Sequence, residues 1–242
     1  MRVLPIPILT YHQIGDAPPK GSFMRSLHVA VADFSRQMRC LRWLGYRGLS
    51  MSELMPYLNG ERRGRVVGIT FDDGYRNNLE LALPVLQANG FTATCYVVSE
   101  LLGRTNVWDQ ALGAPSVPLM TAAEVRQWHQ AGMEVGSHTR RHVDLRQCTP
   151  EQARREIADS RHRLEEVLGC PVQQFCYPYG HYSPEHVAWV REAGYVAATT
   201  TRRGRCHAHS ALFELPRVPV VRSTHLIQLA LKLWSAYEDR RG

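Results

Sequence analysis

No apolar run in the 242-residue chain approaches the ~20 residues that a membrane-spanning helix needs. The amino terminus, MRVLPIPILTYHQIGD, places two prolines and a histidine where a secretory signal keeps an unbroken apolar stretch. The expectation is a chain without a cleaved export signal, working in the cytoplasm. The six cysteines, Cys40, Cys95, Cys148, Cys170, Cys176 and Cys206, include no CxxC pair, which excludes zinc-ribbon spacing. A chain of this length buries a core without disulfide staples, so reduced thiols are expected. Cys95 and Cys176 lie in apolar runs and read as small buried hydrophobes. Internal repeats and low-complexity tracts are absent too. With 44% apolar and 21% charged residues, wholesale disorder is excluded.

Charge of one sign is in modest excess: 29 basic against 22 acidic residues, a net +7. The basic clusters at Arg62-Arg63, Arg140-Arg141, Arg202-Arg203 and Arg240-Arg241 come without a nucleic-acid-binding motif, so nucleic acid is not an expected partner. The excess remains compatible with peripheral contact to an anionic membrane or with a lipid-linked glycan.

Short β-branched and aromatic runs alternate with helical patterns. Strands are expected at 6–11, 66–71, 91–98, 133–136, 174–177 and 195–200. Helices are expected at 31–44, 51–58, 77–89, 122–131, 150–168 and 184–193. Thr149-Pro150 and Ser183-Pro184 supply capping hydroxyls with proline in the first turn. Glycines 45, 90, 132, 169 and 194 follow helical stretches, as helix-ending glycines do. The alternation predicts one α/β domain over residues 1–242, a barrel of parallel strands. Residues 103–119 read as a long loop over one barrel face. Residues 223–239 read as a terminal helix docking on the core, with a membrane-surface helix as the sharper alternative.

Three segments carry chemistry. The apolar strand at Val67–Phe71 ends in Asp72-Asp73-Gly74-Tyr75. Active sites gather at strand carboxyl ends in parallel α/β folds. Adjacent carboxylates there repel unless a cation separates their roles, one as ligand and one as free base. Asp-Gly is otherwise a common turn. A second strand leads into Ser137-His138-Thr139-Arg140-Arg141-His142, whose two imidazoles, four apart, share a face on a helical turn and reach one ion. One Asp and two His leave coordination positions open for water and substrate. The third segment, Tyr177-Pro178-Tyr179-Gly180, ends another strand. There the Tyr179 main-chain N–H is a candidate oxyanion donor, against the plainer reading of a tight turn.

Over roughly residues 8–221 these segments resemble the polysaccharide deacetylases, the NodB-homology carbohydrate esterases. Thr70–Gly74 matches T-F-D-D-G, Ser137–His142 the histidine motif, and Tyr177–Gly180 the P-Y-G loop, in order and spacing. The resemblance implies a distorted (β/α)7 barrel. It implies a divalent metal, zinc first with cobalt or nickel possible, on Asp73, His138 and His142, and Asp72 as general base. The implied reaction is hydrolysis of an N-acetyl group on an amino sugar of a glycan or glycan precursor.

Two positions depart from the family. Cys176 stands where an arginine usually orients the base, and residues 214–219 (ELPRVP) lack the downstream histidine that usually acts as acid. Tyr11-His12-Gln13-Ile14 instead resembles the subgroup acting on poly-N-acetylglucosamine, which implies His12 as the acid. Arg217 is then the candidate to orient Asp72. Tyr75, Tyr177 and the loop pair Trp108-Asp109 are expected to form the sugar-facing wall. The alternatives are another amide, such as N-formyl or a small cyclic amide, on the same metal site, or a glycan-binding protein without turnover. The remaining histidines, including the Cys206-His207-Ala208-His209 cluster, read as structural.

Overall fold

The computed structural model describes residues 5–207 and 210–241. Ten strands occur in it: β1 (Ile8–Tyr11), β2 (Gln13–Ile14), β3 (His28–Val29), β4 (Arg47–Leu49) and β5 (Val66–Phe71) come first. After them come β6 (Thr94–Val97), β7 (Glu134–Ser137), β8 (Gln174–Cys176), β9 (Ala197–Arg203) and β10 (Leu215–Pro219). The helices are α1 (Val31–Trp43), α2 (Met51–Leu58), α3 (Leu83–Asn89), α4 (Ala122–Gln130), α5 (Pro150–Leu168), α6 (Pro184–Glu192) and α7 (Leu226–Trp234).

Strand β1 closes the ring. It pairs in parallel with β10 on one side, Leu9 opposite Val218, and with β5 on the other, from Ile8 opposite Gly68 to Tyr11 opposite Phe71. The order β10-β9-β8-β7-β6-β5 completes a closed parallel barrel of seven strands with helices outside, the (β/α)7 architecture. Strand β4 pairs only with the first half of β5. Strands buried on both faces must be apolar throughout, and all six residues of β5, VVGITF, are buried. Between barrel and helices the core is aromatic: Tyr11 meets Phe34 edge-on at 5.1 Å and Phe71 meets Trp128 at 5.9 Å. The Trp128 indole N–H donates to Glu134 O (2.9 Å), so this large side chain is buried without an orphaned donor.

Thr149 caps α5 reciprocally with Gln152, and Gly90 ends α3 in the left-handed conformation, as the sequence predicts. Elsewhere the chain departs from expectation. The helix over 77–89 contains a wide turn at Asn78–Ala82 before α3. Pro84 has no N–H to give to Glu80, and the backbone widens around that gap. The strand over 91–98 shortens to Thr94–Val97, and that over 195–200 shifts to Ala197–Arg203. Strand β10 was masked in the sequence by Pro216 and Pro219; a register shift between Leu215 and Arg217 accommodates the missing donors. The terminal helix is shorter than 223–239, spanning Leu226–Trp234 with His225 as its cap.

All six cysteines are unpaired thiols, with Cys95 and Cys176 fully buried. Among the described residues no helix is long and apolar enough to cross a membrane. His209 lies outside the described residues, while Cys206 is held by backbone bonds to Ile6.

Candidate active site

Asp72 and Asp73 leave β5 at its carboxyl end, His138 follows β7, and Pro178 follows β8. Parallel strands put these three ends on one rim. Asp72 continues the strand, its N–H donating to Tyr11 O (3.0 Å). At Asp73 the chain turns sharply, with φ 76° at both Asp73 and Gly74. A Cβ at residue 74 would lie 3.3–3.4 Å from Val97, so glycine fits both the conformation and the close approach. The turn sends the two adjacent carboxylates to different neighbours.

Asp72 faces Arg217. The guanidinium donates from Nη1 to Oδ1 and from Nη2 to Oδ2, both at 2.7 Å, a bidentate pair in which Arg217 is 1% and Asp72 3% exposed. Arg217 is fixed by three further bonds, from Nε to Thr200 O (2.9 Å), Nη1 to Thr70 Oγ1 (3.1 Å) and Nη2 to Cys176 Sγ (3.2 Å). Burial pushes the Asp72 pKa up; the charge and hydrogen bonds of Arg217 outweigh it and hold the carboxyl below its ordinary value. Asp72 is therefore an ionised carboxylate at neutral pH. An arginine from β10 thus stands beside Asp72, and the small Cys176 leaves room for it.

Asp73 faces the histidines. His138 Nε2 lies 3.5 Å and His142 Nε2 3.3 Å from Asp73 Oδ1. The segment joining them is not the helical turn expected. Thr139 and His142 both have positive φ (64° and 59°), and the chain forms an irregular turn. Thr139 Oγ1 accepts from His142 N (3.0 Å), and the buried Glu156 carboxylate of α5 accepts from Arg140 N and Arg141 N (2.9 and 3.0 Å). These local acceptors compete with helical bonding and win. His138 Nδ1 donates to Cys176 O (2.7 Å), because a carbonyl only accepts, and Nε2 is left free for a ligand. The His142 ring is held by stacking, with Trp108 at 4.4 Å on one side and Tyr179 edge-on at 4.7 Å.

The donor set suits a divalent cation. One oxygen and two ring nitrogens from Asp73, His138 and His142 lie within 4.8 Å of one another, all buried. Buried His142 Nδ1 has no hydrogen-bond partner among the described residues, so that ring's polar bonding there is incomplete. A second grouping, Asp72, His138 and Cys176, is equally compact. There, however, Arg217 already occupies both Asp72 oxygens and touches the thiol. Arg217 cancels one carboxylate charge of the adjacent pair, which leaves Asp73 as the negative group facing two imidazoles.

His12, at the end of β1, brings Nε2 to 3.9 Å from Asp72 Oδ2. Tyr179 adopts φ 58°, a strained conformation for a tyrosine, and is 38% exposed at the rim. The following Gly180 is tight against β9: a Cβ there would fall 1.8 Å from Thr201 Oγ1. The expected sugar-facing wall is corrected in part. Tyr177 is fully buried, stacked on Tyr182 at 4.7 Å with its hydroxyl donating to Phe213 O, and has no face open to a substrate. Tyr75 and Asp109 are buried as well. Burial, and then the charge of Asp73, raises the Asp109 pKa. Trp108 lies over His142 and is partly exposed, as are Tyr179 and His12. Glu156 and Thr139 were missed in the sequence; the one legible signal is a glutamate placed among the buried positions Ala153, Ile157 and Ser160 of α5.

Known proteins agree with this geometry. The profile of the polysaccharide deacetylase family matches residues 59–198, more than half of the chain. YxkH of Bacillus subtilis, provisionally named a polysaccharide deacetylase, is 29% identical over 217 residues, covering 89% of this chain and 71% of that protein. The poly-beta-1,6-N-acetyl-D-glucosamine N-deacetylase of Staphylococcus epidermidis is 20% identical, covering 96% of this chain and 84% of its own. Among solved structures, the Streptococcus pyogenes deacetylase PplD in complex with acetate superposes with a TM-score of 0.83 at 26% identity, covering 95% of this chain and 98% of that one. A (β/α)7 barrel with a buried Asp-His-His cluster beside a paired carboxylate, matched by the family profile, places the chain in the polysaccharide deacetylase family, hydrolases of carbon–nitrogen bonds.

Proposed function

We propose that this chain removes the acetyl group from the nitrogen of an amino sugar in a glycan or glycan precursor, with Asp73, His138 and His142 holding a divalent cation. The observation that carries the reading is Asp72: a buried carboxylate kept charged by Arg217 and set one residue from the ligand cluster. A structural ion pair alone has no need of a compact donor set beside it, which disfavours a glycan binder without turnover. The two imidazoles and one carboxylate favour zinc, with cobalt or nickel able to use the same donors. The bound cation supplies Lewis acidity, polarising the amide carbonyl and acidifying water at the site.

The residues of the chain then divide the proton work. Asp72 accepts the proton of the attacking water as the new C–O bond forms, and Arg217 keeps its oxygens aimed while it does so. The Tyr179 main-chain N–H is the candidate donor to the oxyanion that develops at the carbonyl oxygen. His12 gives a proton to the amine nitrogen as the C–N bond breaks, releasing acetate and a free amino sugar. The acetate bound to the similar PplD structure supports that product. The similarity to the Staphylococcus epidermidis enzyme supports a β-1,6-linked N-acetylglucosamine substrate.

The test is acetate release from N-acetylglucosamine oligomers by protein stripped of metal and then given zinc or cobalt. Restored release that Asp73→Ala abolishes is the expected result. Asp72→Asn and His12→Ala should keep metal, read by elemental analysis, and lose about 10²–10⁴-fold in kcat. Undiminished turnover in His12→Ala would remove that residue from the mechanism. No release by metal-loaded protein would turn the reading toward a different amide.

A further inference from the structure

Helix α7 buries Lys232 together with two leucines and turns a second set of apolar side chains outward. The Lys232 ammonium points inward, donating to Pro219 O (3.0 Å) and pairing with the buried Glu238, beside Leu229 and Leu233. The outer stripe is Ile227, Leu231 and Trp234, which are 71, 49 and 54% exposed. Their i, i+4, i+7 spacing puts them on one side of the helix. Water-facing helices normally carry polar side chains there, and a contiguous apolar stripe marks an interaction surface. The stripe continues beyond α7. The Trp234 indole N–H donates to the Tyr46 hydroxyl (3.0 Å), three residues past Trp43, which is 84% exposed.

We propose that this face docks on an anionic phospholipid bilayer, a binding surface separate from the catalytic rim. Charge selects the occupant. Arg39 and Arg42 line the groove beside Trp43 between α1 and α3, and Arg65 lies over the Tyr46 ring at 5.8 Å. Arg240 and Arg241 follow α7 and are exposed. Among the described residues none of these five arginines has a carboxylate partner, whereas three acids near α1 and α7 are engaged. Asp33 pairs with Arg36, Glu238 with Arg203 and Lys232, and Asp239 with Arg205. An exposed apolar stripe rimmed by cations and bearing tryptophan suits a helix lying in the headgroup plane of an anionic membrane. A second copy of the chain on the same two-fold face would set arginine rims against each other.

The experiment is co-sedimentation of the full chain with vesicles of phosphatidylcholine alone and of phosphatidylcholine with about one-third phosphatidylglycerol. Binding to the anionic vesicles only, weakened by salt, is expected. Ile227→Asp with Leu231→Asp should lower partitioning at least tenfold at an unchanged melting temperature, because both side chains are outside the core. Arg39→Glu with Arg42→Glu should lower it by about fivefold per arginine. The proposal is overturned if the wild-type chain ignores anionic vesicles, or if the Ile227/Leu231 variant binds as well as wild type. It is equally overturned if sedimentation velocity finds a dimer that Ile227→Asp dissociates while vesicles stay unbound, since the face would then belong to a second copy.

Discussion

Two adjacent aspartates with the same side chain acquire opposite surroundings, and the candidate chemistry depends on that split. Asp72 is bound at both oxygens by Arg217, while Asp73 meets two imidazoles. Because the Asp72 pKa is depressed in the folded protein, the pair's contribution to stability is present above the ordinary carboxylate range and is lost as pH falls through the lower, folded value. Removing the arginine shifts the balance: burial, then opposed only by the charges of His12 and His138, raises the Asp72 pKa. Arg217→Met should move the acid limb of the kcat/KM profile upward by about 1–3 pH units. It should also destabilise the fold by about 3–5 kcal/mol, since a buried charge loses its partner. The profile of kcat/KM against pH and a denaturant melt check the two effects; an acid limb that stays in place would show that Asp72 does not set it. Of these residues, Asp72, Asp73, His138 and His142 are legible in their local motifs. Arg217 is visible only as a departure, since 145 positions separate it from the carboxylate it binds.

At the scale of elements, the histidine-bearing turn depends on α5. Glu156 takes the N–H groups of Arg140 and Arg141, and Thr139 takes that of His142, so the turn keeps a strained backbone with its donors satisfied. Glu156→Ala should weaken cation binding about 10–100-fold, as loss of a group that orients ligands does, while leaving the far-ultraviolet circular dichroism unchanged. Calorimetric titration of zinc into the apo-protein reads the affinity, and an unchanged affinity would reduce Glu156 to a packing role. The expected helical turn at 138–142 failed here because spacing of four is shared by helices and tight turns, and only the acceptors around the backbone decide between them. Strand β10 failed for a different reason. Two prolines disqualify a segment as an interior strand unless a register shift absorbs the missing donors, and register is a property of the neighbouring strand.

For the whole molecule, the candidate cation site bridges β5 and the segment after β7, so cation binding there would be coupled to barrel stability. A cation present at 100 times its dissociation constant adds about 2.7 kcal/mol. For a chain of this size each kcal/mol moves the melting temperature by roughly 2–4 °C. Chelation should therefore lower the midpoint by several degrees and zinc should restore it, whereas Asp73→Ala should melt at one temperature with or without zinc. Scanning calorimetry in the three states is the check. A wild-type midpoint indifferent to zinc would speak against a cation at these ligands.

By itself the sequence determined the alternation of strands and helices, the strand-end positions of Asp72, Asp73, His138 and Tyr179, and the free state of six dispersed cysteines. Those properties are local, written in apolar runs, caps and turns a few residues long. Only the tertiary structure decided that Arg217 fills the space beside Cys176, that His12 sits 3.9 Å from Asp72, that Tyr177 is buried rather than sugar-facing, and that α7 turns Ile227 and Trp234 outward. The placements of Arg217 and His12 beside Asp72 follow from β1 closing the barrel between β5 and β10. Closure brings together side chains whose separation along the chain carries no trace of their contact.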